Sequence, residues 1–317
     1  MKIVMLESIS ISENELEKYR RNLEEAGHQL EVYSDRVEDD DILIERAGDA
    51  DILIITNLPL SARVINACQN LKMISVAFTG VDHIDMEACS KNDVLVCNSS
   101  GYANQAVAEL VFGMTISLLR KMNACDNVVR AGGTRAGLIG NEMAGKVFGI
   151  VGPGAIGLRV AEIAKVFGCK LLGYGTHQRD EALKLGIEYV SLEELMKESD
   201  IVSLHVPLKE STRKLINKEK IDLMKSTAIL INTARGPVVD SQALADALNN
   251  GKIAGAGIDV FEMEPPIPED HPLLNAKNTI LAPHVAFATD EAFRKRAAIV
   301  FDNIKKYQAG NPQNVIS

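Results

Sequence analysis

Three glycines in Gly152-Pro-Gly154-Ala155-Ile156-Gly157 stand where an apolar strand runs into a helix, a spacing that can cradle a pyrophosphate. Gly152 permits the tight turn, Gly154 lets backbone amides approach an anion, and Gly157 lets the helix pack on the strand. The helix start adds unpaired N–H groups and a partial positive charge. Downstream, four apolar runs end in polar groups: His205-Val206-Pro207-Leu208, Asn232-Thr233-Ala234-Arg235, Asp259-Val-Phe-Glu262-Met-Glu264 and Pro283-His284. Arg235 offers paired N–H groups to a carboxylate or a carbonyl, and His284 can give or take one proton near neutrality. Glu264, if it lies beside the imidazole, favours its charged form, and Glu262 competes for that role. A cationic fork, a carboxylate and an imidazole so placed suit hydride transfer with proton delivery.

The elements that must hold these groups are legible in the same stretch. Val147 to Val151 reads as a strand, Ile156 to Phe167 as an amphipathic helix and Lys170 to Tyr174 as a second strand. Further strands at 188–190, 201–205, 228–233, 254–259 and 279–282 suit a doubly wound sheet of about six or seven. Because the glycine turn comes so late, the first hundred residues must form a unit of their own. They alternate as Lys2 to Leu6, a charged helix from Glu13 to Ala26, Gln29 to Tyr33, Ile42 to Ala47, Ile52 to Thr56, a helix near Ala62 to Cys68, Met73 to Ala77 and Val94 to Asn98. Ser12 and Glu15 have the spacing of a capping box. A long helix from Asn104 to Lys121 and a glycine-rich connection from Arg130 to Gly137 lead onward, and the last helix, Asp290 to Ala309, is expected to pack back onto the first unit. The expectation is an α/β chain of two doubly wound parallel-sheet domains. Residues 1–100 with 290–317 form a flavodoxin-like substrate-binding domain, residues 101–289 a Rossmann dinucleotide-binding domain, and ligands bind in a cleft at the strands' carboxyl ends.

Composition narrows the partners. A net charge of -9 over 317 residues argues against a nucleic-acid or anionic-membrane surface, so the partner is read as a small molecule. The first apolar run is too short for a signal sequence and no later run reaches membrane-spanning length, so a cytoplasmic location is expected. Five scattered cysteines lack metal-ligand spacing and read as reduced thiols, Cys97 as a small buried hydrophobe, with no metal. His28, His83, His177 and His271 read as solvated. His205 reads equally as a structural histidine and as a cofactor contact, and the acidic run Asp35 to Asp41 as a solvated face.

Four features in order resemble the D-isomer-specific 2-hydroxyacid dehydrogenases over nearly the whole chain. They are the glycine turn, Asn232-Thr-Ala-Arg-Gly-Pro-Val-Val-Asp240, Gly257-Ile-Asp-Val-Phe-Glu-Met-Glu-Pro265, and Pro283-His284 followed by Ala288-Thr289. The resemblance implies Arg235 as substrate anchor, Glu264 as the carboxylate that orients and charges His284, and His284 as general acid in reduction. It implies Thr79-Gly80 as the backbone turn that holds the substrate carboxylate. Asp259, Thr233 and Ala234 would border the nicotinamide, and His205, Val206 and Pro207 the adenosine end. It further implies NAD or NADP as cofactor and a homodimer paired through the dinucleotide domain by the long helix after Gly101. The segment Asn98 to Glu109 looks like relatives that reduce glyoxylate or hydroxypyruvate or oxidise glycerate. Phe287 would narrow the site for a small 2-oxo acid, and no basic cluster accompanies the substrate loop to favour a phosphorylated one. The alternative on the same scaffold is a dinucleotide-sensing binding protein or corepressor, which the lack of extended tails disfavours.

Two positions depart from the pattern. Where an NAD-binding fold places an acid against the ribose 2′-hydroxyl, this chain has Gly175, followed by Thr176, His177, Gln178 and Arg179. Those groups can bind a phosphate, so a preference for NADP(H) is expected. Ala155 stands where many relatives carry a basic residue, which leaves the pyrophosphate mainly to backbone amides.

Overall fold

The computed structural model describes residues 1–263 and 266–316. In chain order the first elements are β1 (Lys2–Met5), α1 (Glu13–Glu25), β2 (Gln29–Val32), α2 (Asp40–Ala47), β3 (Ile52–Ile55), α3 (Ala62–Ala67), β4 (Met73–Val76), α4 (Met86–Lys91) and β5 (Leu95–Cys97). Then come α5 (Asn104–Leu119), α6 (Met122–Arg130), β6 (Val147–Val151), α7 (Ala155–Val166), β7 (Lys170–Tyr174), α8 (Asp180–Leu185), β8 (Glu188–Tyr189), α9 (Leu192–Glu198) and β9 (Ile201–Leu204). The chain closes with α10 (Lys218–Leu223), β10 (Ile229–Asn232), α11 (Ser241–Asn249), β11 (Gly255–Ile258), β12 (Thr279–Leu281) and α12 (Asp290–Gln308). It divides into two compact units, Met1–Ala103 with Ala288–Ser317, and Asn104–Phe287.

In the first unit five parallel strands lie in the order β2-β1-β3-β4-β5, the flavodoxin-like order. Strand β3 reads Ile-Leu-Ile-Ile and all four residues are buried, as both faces of a helix-covered parallel sheet require. Ile3, Met5, Ile52, Ile54 and Met73 pack with Leu16 and Leu23 of α1 and with Ala297, Val300, Phe301 and Ile304 of α12. Helix α12 is thus part of this unit's core, and Ser75 Oγ donates to Val300 O at 3.1 Å. Helix α1 opens on the capping box that its sequence spacing proposes, Ser12 and Glu15 exchanging bonds at the first turn.

In the second unit seven parallel strands lie in the order β12-β11-β10-β9-β6-β7-β8. Counted from β6, the six strands up to β11 reproduce the Rossmann order 3-2-1-4-5-6, with β12 added at the edge. Alternate residues serve opposite faces. Phe148, Ile150, Ile201, Ile229 and Ile231 pack with Val111, Met114, Val160 and Ala164 of α5 and α7, while Val151, Val202, Leu204, Leu230 and Ile258 pack with Leu195, Leu244 and Leu248 of α9 and α11. The long helix expected to reach Lys121 ends at Leu119, because Lys121 takes a left-handed conformation (φ 53°) and a separate helix, α6, restarts at Met122.

Helix α7 meets β6 through Gly157. A methyl there would lie 2.4 Å from Gly152 O, a clash with backbone that no side-chain motion relieves. Gly157→Ala is therefore expected to cost at least about 1–3 kcal/mol, read as a lower urea midpoint with an unchanged slope.

Candidate active site

The glycine turn fits a dinucleotide on the geometry of its own residues. Gly152 has φ 94°, and a Cβ on it would lie 2.8 Å from both His205 O and Val206 Cγ1. Beside Gly154 a Cβ would meet nothing within 4 Å, which leaves open space over the start of α7. Gly154 is that helix's N-cap and offers no side chain to its amides, so Ala155, Ile156 and Gly157 present N–H groups suited to an anion. The hydroxyl of Thr233 is buried and lacks a hydrogen-bond partner, the state of a group that awaits a ligand. Gly175 at the end of β7 packs on the turn, where a Cβ would come within 3.2 Å of Pro153 Cδ. Beyond it Thr176, His177, Gln178 and Arg179 are all exposed. The guanidinium of Arg159, one turn on, is held by Gln105 Oε1 and Glu162 Oε2, each at 2.6 Å.

His205 contributes its backbone to the Gly152 turn and turns its ring to the sheet, where Nε2 meets Ser203 Oγ at 2.9 Å. Burial pushes its imidazole down to about 3, so the ring is neutral at physiological pH. Val206 is half-buried against the turn and Pro207 is exposed.

The ends of β10, β11 and β12 are knitted together by two side chains. Asn232, 1% exposed, accepts from Ala234 N at 3.0 Å and donates through Nδ2 to Arg235 O at 3.1 Å, which shapes the turn that carries the half-buried Arg235. Its backbone oxygen accepts from Asp259 N at 3.0 Å. Asp259, fully buried, then reaches the β12 end: its oxygen accepts from His284 N at 2.8 Å, and its carboxylate accepts from Val285 N at 2.8 Å and Ala286 N at 2.9 Å. His284 is left-handed (φ 56°), a conformation that costs on the order of 1–3 kcal/mol outside glycine. Charge-assisted bonds of about 1.5–3 kcal/mol each offset that cost. The imidazole meets the Phe287 ring edge to face, centroids 5.3 Å apart.

Gly236 closes the other flank. A Cβ on it would lie 1.9 Å from the backbone carbonyl of Phe261, so only glycine lets the Arg235 turn lie flat on the segment after β11. In that segment Glu262 bonds His271 Nε2 at 2.9 Å, which commits this carboxylate to structure. Glu264 lies outside the described residues. His271 is correspondingly not the solvated residue expected: its side chain is 10% exposed and its ring packs on Phe261. His83 departs likewise, with Nε2 buried and without a partner, whereas His177 is exposed. Asp240, the last residue of the arginine motif, caps α11 through Ala243 N.

In the first unit Thr79 is exposed and Gly80 half-buried on the turn after β4. Asn98 Nδ2 donates to Thr79 O at 2.7 Å and holds that turn from the β5 side. Cys97 is buried, and burial pushes its thiol up to about 11. Among the described residues no helix is long and apolar enough to cross a membrane, and no group of three His, Cys, Asp or Glu side chains could hold a metal.

Residues 112–286 match the family model described as D-isomer specific 2-hydroxyacid dehydrogenase, NAD binding domain. A glyoxylate reductase of Korarchaeum cryptofilum is 41% identical over 284 residues, covering 87% of this chain and 85% of the relative. The chain belongs to the D-isomer-specific 2-hydroxyacid dehydrogenase family. A hydroxypyruvate reductase of Blautia hydrogenotrophica is 32% identical across 100% of both chains. Among solved structures, an acyclic imino acid reductase in complex with NADPH and D-Arg superposes with a TM-score of 0.90 at 31% identity, covering 100% of both chains. This family member is an oxidoreductase of 2-hydroxy acids that uses a nicotinamide dinucleotide.

Asp259→Asn keeps the shape but turns an NH2 toward one of the two N–H donors, which is expected to cost about 1–3 kcal/mol. Displacement of the His284 segment should lower turnover roughly 100-fold; unchanged turnover in a folded variant would remove Asp259 from the positioning of His284. The lowered pKa of His205 lies below the ordinary 6.5. The neutral ring's contribution to stability is thus complete above about 6.5 and is lost as pH falls from there toward about 3, because the unfolded chain takes up the proton first. Urea titrations across that window should show this loss in the wild type and a smaller one in His205→Gln.

Proposed function

We propose that the protein reduces small 2-oxo acids such as glyoxylate or hydroxypyruvate to D-2-hydroxy acids, with His284 as general acid. The observation that carries this reading is the link through Asn232 and Asp259 between the Arg235 turn and the His284 turn. A reduced nicotinamide dinucleotide, when bound, supplies the hydride. The amides at Gly154, Ala155, Ile156 and Gly157 hold its pyrophosphate; Thr233, Ala234 and Asp259 border its nicotinamide end, and His205, Val206 and Pro207 its adenosine end. Arg235 binds the substrate carboxylate and polarises the carbonyl through its fork of N–H groups. The amides of Thr79 and Gly80 serve the same carboxylate. His284 delivers a proton to the carbonyl oxygen as the alcohol forms, and in the reverse direction takes it back. Glu264 is the carboxylate that orients and charges His284; the engagement of Glu262 with His271 supports this choice. Phe287 beside the imidazole favours a small substrate.

The same reading extends to the cofactor and the assembly. We propose a preference for NADPH, served by Thr176, His177 and Arg179 around the ribose 2′-phosphate. The absence of a repelling acid at Gly175 and the exposure of those three residues support it. A cytoplasmic homodimer paired through the second unit completes the proposal. Exposed Met122, Val129 and Ile139, all within that unit, support such pairing.

Wild-type protein and His284→Ala, assayed with glyoxylate, hydroxypyruvate and pyruvate against NADPH and NADH, test the reading. Wild-type turnover is expected with at least one 2-oxo acid, with NADPH the tighter-binding cofactor, and a loss of roughly 100-fold or more in kcat is expected for His284→Ala. No turnover with any 2-oxo acid would instead favour a dinucleotide-sensing protein, and clearly tighter NADH binding would sink the NADPH preference.

A further inference from the structure

We propose that Glu7 is a positioning residue for substrate binding. Its buried carboxylate sets the turn after β3 and, through that turn, the Thr79-Gly80 turn after β4. The inference rests on Thr79 and Gly80 as substrate-binding residues.

Glu7 is only 5% exposed, two residues past the end of β1. Its Oε1 accepts from Thr56 N at 2.7 Å and Leu58 N at 2.8 Å, and its Oε2 accepts from Arg36 Nη1 at 2.8 Å. Arg36 in turn donates to Asn57 Oδ1 at 2.8 Å and Asn57 O at 3.3 Å. All three residues of the turn, Thr56, Asn57 and Leu58, are therefore held by one ion pair. The chain continues to Leu60, which pairs with the segment after β4: Leu60 N donates to His83 O at 2.9 Å, and Asp85 N donates to Leu60 O at 3.0 Å. That segment carries Thr79 and Gly80, which Asn98 holds from the opposite side. The carboxylate is buried while its partner Arg36 stays 40% exposed, and a pair so open to solvent adds little stability of its own. Here its oxygens gather backbone N–H groups at the carboxyl edge of the sheet, where ligands bind in such folds.

Steady-state kinetics on the full chain, with glyoxylate or hydroxypyruvate varied at saturating NADPH, test the role. Glu7→Ala is expected to raise KM for the 2-oxo acid about tenfold or more, while kcat and the KM for NADPH stay within about threefold. Glu7→Gln, whose amide oxygen still accepts both N–H groups while its NH2 faces the Arg36 donor, should recover part of the loss and raise KM about three- to tenfold over wild type. Arg36→Met, which leaves the carboxylate but frees Asn57, should raise KM about three- to tenfold and decides the matter if Glu7→Ala does not fold. An unchanged KM in Glu7→Ala or Arg36→Met, a parallel loss in kcat and both KM values, or a Glu7→Gln as impaired as Glu7→Ala would overturn the proposal. Absence of turnover in the wild type is a different result: it would sink the reductase reading and this role with it.

Discussion

The candidate active site depends on one buried carboxylate. Asp259 lies where β11 ends, and its charge is spent on backbone N–H groups of the neighbouring strand end. A fully buried carboxylate is tolerated only when hydrogen-bonded, and a left-handed histidine persists only when its surroundings over-determine it. Each satisfies the other's requirement. Asp259 gains donors from Val285 and Ala286, and His284 gains a backbone that cannot relax to an ordinary conformation. Asn232 passes the same constraint sideways to Arg235, so two groups far apart in sequence share one rigid frame.

That frame explains why the polar groups sit on turns while the strands beneath them are apolar. Strands β9, β10 and β11 are buried along their whole length and contribute no freedom at their ends. The turns inherit that rigidity through short bonds and through Gly236, whose missing side chain allows backbone to lie on backbone. The first unit reaches a similar end by another route. Its strand-end turns are tied by Asn98 and by the pair of Glu7 with Arg36.

Much of this was legible in the residues, because periodicity and glycine spacing report backbone requirements directly. The run Val147 to Val151 followed by Gly152, Gly154 and Gly157 identifies strand, turn and helix. Ser12 and Glu15 marked a helix start. What the residues do not show depends on partners distant in sequence. The motif around Asp259 does not show the carboxylate's bonds to Val285 and Ala286, which emerge only when β11 and β12 pair. His271 looked solvated because Glu262 and Phe261, its partners, meet it only through the folded loop. Nothing local in the sequence distinguishes Glu7 from any acidic residue after a strand, because Thr56 and Leu58 reach it only in the fold. Gly175 read as a missing acid, and its contact with Pro153 adds that the position has little room for a side chain. The break at Lys121 carried no glycine or proline to announce it.

Asp259 locks the His284 segment, and amide hydrogen exchange at Val285 and Ala286 reads that lock. Protection close to that of Ile231 and Gly257, in the core strands β10 and β11, is the expected result, since opening those amides would require release of a buried carboxylate. Exchange as fast as at an exposed loop would mean that Asp259 does not hold these amides.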